Sequence, residues 1–153
     1  MEKSLDEILL QVRQSPNIIS QIASPISSGP GYLFGNHVLV SINYWFCRPV
    51  AFSDGEYVAL MHIGAVEERP FLDSCLRNFS HLPNVKAIVV QTGLENSKPI
   101  VDYCRARGIS IVHCYKARAI EPDHLAYTKD VAVTPHKMLI RFIENGHQET
   151  LHF

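Results

Sequence analysis

The chain has 153 residues, 46% apolar and 19% charged, with a net charge of −1; such a composition excludes a disordered chain and a strongly basic nucleic-acid surface. No run approaches the roughly 18 consecutive apolar residues of a membrane span. A chain of this length buries a sizeable core without staples, so one domain over residues 1–153 is expected.

The first thirty residues read as a helix and a connector. Ser4-Leu5-Asp6-Glu7 fits a capping box, and Leu5, Ile8, Leu9 and Val12 follow at helical spacing. Pro16 stops that helix, and Ser24–Gly31, with its prolines and glycines, is a loop by composition. The opening residues MEKSLDE lack the apolar core of a signal peptide. Cys47, Cys75, Cys104 and Cys114 form no C-x-x-C pair, and free thiols in a reducing compartment follow. The cytoplasm is the expected location, with delivery into a host cell by a specialised secretion system as a second route.

His37–Ile42 has the composition of a buried strand, and Asn43-Tyr44-Trp45-Phe46 leads through a bend to Cys47. Arg48–Phe52 and Tyr57–Ile63 are strands of one hairpin, rich in Val, Ala, Phe, Tyr, Leu and Ile. With Asp54-Gly55 as the central pair of a tight turn, Ser53 faces Glu56. Counting back along both strands then brings Cys47 opposite His62, with Cβ atoms roughly 4.5–5.5 Å apart. A thiol and an imidazole so placed are the parts of a nucleophile–base dyad, and Arg48 beside the cysteine favours a thiolate.

Pro70 suits the first turn of a helix whose apolar stripe is Phe71, Leu72, Cys75, Leu76 and Phe79. Glu67-Glu68-Arg69 is its solvated start. Leu82-Pro83-Asn84 is a turn, Val85–Thr92 a central strand, and Pro99 opens a second helix closed by Gly108. Ile109–Tyr115 completes a strand–helix–strand unit with parallel strands. Gln91-Thr92-Gly93 ends the central strand, where loops often line sites. Val131–Thr134, Lys137–Ile143 and Thr150–Phe153 are further strands, the last two joined at Asn145-Gly146. The fold class is α+β: a mixed, largely antiparallel sheet with two or three packed helices.

His113 and Cys114 are neighbours on a strand and point to opposite faces, so they do not jointly hold a metal. His124, His136, His147 and His152 are scattered over polar stretches. No metal site is assigned.

A cysteine at a strand start followed by a hairpin whose partner strand ends in histidine resembles the glutamine deamidase superfamily. That group holds the CheD-type chemoreceptor deamidases and the cytotoxic-necrotizing-factor-like toxin domains. The stretch Ser97–Tyr115, with Arg107-Gly108-Ile109, and the closing hairpin Val131–Ile143 resemble the CheD type in order and spacing, so that residues 33–145 form the deamidase-like core. The resemblance implies Cys47 as nucleophile and His62 as base. It further implies Ser41, six residues before the cysteine, as the third group held against the histidine. It implies hydrolysis of a protein glutamine through a thioester, with no cofactor and with a protein substrate as partner.

The sequence departs from that pattern at one place. Trp45-Phe46 stand where the family has glycine and serine, whose small size lets backbone amides approach the substrate carbonyl. With Thr92, these two are the candidate substrate-binding residues; Trp45 and Phe46 equally suit a plain core. Two other readings remain open: a catalytically inactive protein-binding module on the same fold, and a cysteine amidase or protease on a small substrate.

Overall fold

The structure, a computed structural model, describes residues 3–14, 31–44, 48–63, 68–90, 97–115 and 128–153. Among these, helix α1 is Leu5–Gln14, followed by strands β1 (Gly31–Gly35), β2 (Leu39–Tyr44), β3 (Arg48–Ser53) and β4 (Val58–Ile63). Helix α2 (Glu68–Leu76), β5 (Lys86–Val90), α3 (Lys98–Ala106) and β6 (Ser110–Tyr115) come next, then β7 (Lys129–Val133), β8 (Lys137–Phe142) and β9 (Gln148–His152). This is the α+β class read from the sequence, but its strands divide between two sheets. One has the order β1-β4-β3-β5-β6 and the other β2-β7-β8-β9.

All described strand pairs are antiparallel except β5 with β6. That parallel pair is joined through α3, as the strand–helix–strand pattern predicts. Strand β1 carries no signal that sequence reading picked up: its five residues are all half-buried, with none of the apolar–polar alternation that marks an ordinary edge strand.

Burial explains the stacking. Every residue of β3 and of β4 is buried, because one face of their sheet meets helices and the other meets the second sheet. Val50, Phe52, Ala59 and Met61 pack on Leu72, Cys75, Ile100 and Cys104 of α2 and α3. Ala51, Val58, Leu60 and Ile88 meet Leu39, Val131, Val133 and Ile140 between the sheets. On the outer face of the second sheet, Leu5, Leu9 and Val12 of α1 cover Val40, Ile42, Ala132 and Leu139. The layers run helices, sheet, sheet, helix. Each fully buried Leu or Ile in them contributes about 1.5–3 kcal/mol. No helix among the described residues is long and apolar enough to cross a membrane.

The hairpin of β3 and β4 forms, in a register that corrects the sequence reading. Ser53 pairs with Val58 and Pro49 with His62, so the residue opposite His62 on β3 is Pro49, two along from the expected position; Cys47 itself lies outside the described residues. The turn has slipped by one residue, so every partner moves by two. Asp54 does not enter the turn centre because its own side chain closes it: Oδ1 accepts the N–H groups of Glu56 at 2.9 Å and Tyr57 at 2.7 Å. The Asp54 N–H donates to the Tyr57 carbonyl at 3.2 Å. Gly55 takes the first central position at φ +92°, a left-handed conformation that glycine adopts without strain. A shift of two preserves the alternation of faces, so His62 still points between the sheets.

Candidate functional site

One end of the sandwich gathers most of the buried polar side chains among the described residues; Ser53 and Ser97 are buried elsewhere. On β4, Val58 and Leu60 point between the sheets, and strand alternation sends His62 the same way. On β2, Leu39 and Ser41 share that face. The next residue with their parity is Asn43, yet it is Tyr44 that joins the core between the sheets. The β2–β7 pairing shifts register between Ser41 and Tyr44, and such an irregularity re-aims a side chain. Without it, Tyr44 would fall on the α1 side with Val40 and Ile42.

His62 is thereby enclosed. Its Nδ1 lies 3.2 Å from Ser41 Oγ, and its ring stacks on Tyr44 with centroids 3.9 Å apart and planes 15° from parallel. The Tyr44 hydroxyl donates to the Met61 carbonyl at 2.9 Å, fixing the aromatic plate beneath the imidazole. Ser41 is 3% exposed and His62 is 5% exposed. Burial disfavours the imidazolium and pulls the His62 pKa from 6.5 down to about 4. The ring is therefore neutral near pH 7. In the tautomer whose Nδ1–H donates to Ser41 Oγ, Nε2 keeps a lone pair to accept a proton; in the other, the Ser41 hydroxyl donates to Nδ1 and Nε2 carries the proton.

Two groups at this end were not singled out in the sequence. Lys129, 1% exposed, pairs with Tyr44 on one side and Phe142 on the other, with Nζ 5.7 Å from the Phe142 ring. Burial draws its ammonium down to about 8, against the opposing effect of Glu144. Asp130 is equally buried and meets Arg13 of α1 at 3.2 Å. Thr-Lys-Asp at a strand start looks like a solvated edge; Lys129 is buried by the packing of one sheet on the other and Asp130 by α1, and neither is visible in the sequence. Arg48, at the start of β3, is also buried.

Of the residues assigned from sequence, the structure brings Ser41 and His62 together. Cys47, Trp45, Phe46 and Thr92 lie outside the described residues, as does His124. Among the described residues, no three His, Cys, Asp or Glu side chains are grouped to hold a metal ion. Comparison with known proteins gave no match to any family model and no significant match to a curated protein.

Proposed function

We propose that the chain is a cysteine-dependent hydrolase of the CheD-like deamidase type, with Cys47 as nucleophile, His62 as base and a protein glutamine as substrate. The observation that carries this reading is the buried contact of Ser41 Oγ with His62 Nδ1 at 3.2 Å. A histidine so held has its ring plane fixed, and with Nδ1–H donating to Ser41 its Nε2 is the nitrogen that takes the thiol proton. In the chain, Cys47 directly precedes Arg48, whose partner across the hairpin is Ile63, the neighbour of His62.

In the reaction, His62 Nε2 takes the thiol proton and the Cys47 sulfur attacks the carboxamide carbon. The C–N bond then breaks, and the proton on His62 leaves with ammonia. Water, deprotonated by the same nitrogen, cleaves the thioester to give glutamate and the free thiol. Ser41 holds the imidazole plane throughout, and Tyr44 walls it from below. No step needs a metal or an organic cofactor. The free thiols Cys75, Cys104 and Cys114 fit a reducing compartment such as the cytoplasm.

Alkylation by iodoacetamide at pH 7, followed per cysteine by mass spectrometry, tests the reading. Burial pushes Cys75 and Cys104 up to about 12 and makes them slow, so exposed Cys114 is the internal reference. Cys47 is expected to react at least about tenfold faster than Cys114 and to lose that advantage in His62→Ala, with Ser41→Ala intermediate. A Cys47 no faster than Cys114, in a protein whose circular dichroism is intact, overturns the enzyme reading in favour of a binding module.

A further inference from the structure

The two helices that cover the five-stranded sheet leave a furrow between them with an uneven charge balance. One depression of about 370 Å³ is lined by Arg69, Leu72, Ile100, Asp102, Tyr103 and Arg107, among others. A second, of about 390 Å³, continues past Asp73, Leu76, Arg77, Phe79 and Leu82. They meet at Tyr103 and Arg107, which line both.

The middle of the furrow is electrostatically closed. The Arg107 guanidinium lies 3.4 Å over the Tyr103 ring, donates from Nη1 to the Tyr103 carbonyl at 3.0 Å and meets Asp73 at 3.6 Å. Asp73 also accepts the Tyr103 hydroxyl. Asp102 is held by Lys98 at 2.5 Å. Both carboxylates are thus occupied. Arg69 and Arg77, one in each depression, are exposed and make no ion pair among the described residues.

Eight residues of helical rise separate Arg69 from Arg77, roughly 12 Å. Two guanidiniums so far apart do not share one small anion. They match carboxylates four residues apart on an extended chain, which rises about 3.3 Å per residue. Between them lies the Tyr103 ring, covered by Arg107 and 6.0 Å from the Arg69 guanidinium, with the apolar walls of Leu72 and Ile100 on one side and of Leu76 and Phe79 on the other. A nucleic-acid strand carries a phosphate at every residue, and two guanidiniums about 12 Å apart with ion-paired groups between them offer it only two contacts.

We infer that this furrow docks an extended acidic peptide segment of a partner protein, with carboxylates on Arg69 and Arg77 and an apolar side chain between them. The inference stands whether or not Cys47 is a nucleophile.

The test is fluorescence anisotropy on the full chain, with a labelled peptide bearing two glutamates four residues apart and a leucine midway. Three controls replace the glutamates by lysine, replace the leucine by serine, or use a labelled oligothymidylate. The acidic leucine peptide is expected to bind at least about tenfold tighter than each control, weakening with salt. Arg69→Glu/Arg77→Glu should reduce that binding at least about tenfold, with the melting temperature unchanged. Absence of binding overturns the inference, as does binding that the double variant leaves intact. A control that binds as well as the acidic peptide overturns it too, the oligothymidylate by pointing to nucleic acid.

Discussion

Burial sets the acid–base behaviour of His62, and a stability measurement can read it. The folded value is about 4 and the ordinary one 6.5. Between them the unfolded chain holds more protons, so acidification through this window favours unfolding. At about 1.4 kcal/mol per unit, His62 alone removes roughly 3 kcal/mol as pH falls from 7 to 4. Urea melts of wild type and His62→Asn across that range should converge by about this amount toward the acid end. Parallel curves would show that the imidazole is not buried as described. At this scale the sequence was partly legible: His62 was reached through a hairpin register that is itself off by two residues, and Ser41 only through the family resemblance. Lys129 and Tyr44 were not paired with them, because their position depends on how one sheet sits over the other.

The hairpin shows where element-level reading stops. Composition placed β3 and β4 to within a residue, and the Asp54-Gly55 pair located the turn to within one residue. Which residues occupy its centre is decided by a side-chain competition, Asp54 Oδ1 capturing two backbone N–H groups, and dipeptide preference does not contain that term. The one-residue slip puts Pro49 opposite His62, while leaving His62 on its expected side. The bulge in β2 was illegible for a related reason: nothing in Ser41–Tyr44 marks an extra residue until β7 is alongside. Gly55→Ala isolates the turn, since an added Cβ meets nothing within 4 Å and only the positive φ opposes it. It should destabilise the protein by about 1 kcal/mol in chemical denaturation, leaving Cys47 alkylation unchanged. A loss of alkylation would mean that the turn, at the far end of the hairpin, controls the site.

At the scale of the whole molecule, the candidate site exists only where two sheets meet, since His62 belongs to one and Ser41 and Tyr44 to the other. Composition and periodicity identified the α+β class and the parallel β5–α3–β6 unit. They did not divide the strands into two sheets, because inter-sheet packing leaves no period in the chain. The central claim, a neutral His62 oriented by Ser41 to act as base, is tested most directly by long-range proton–nitrogen NMR of the imidazole between pH 4 and 8. The account predicts a ring protonated on Nδ1, with Nε2 bare, that stays neutral down to about pH 4, and a change in that tautomer preference in Ser41→Ala. A ring protonated on Nε2, or one titrating near 6.5, would contradict it.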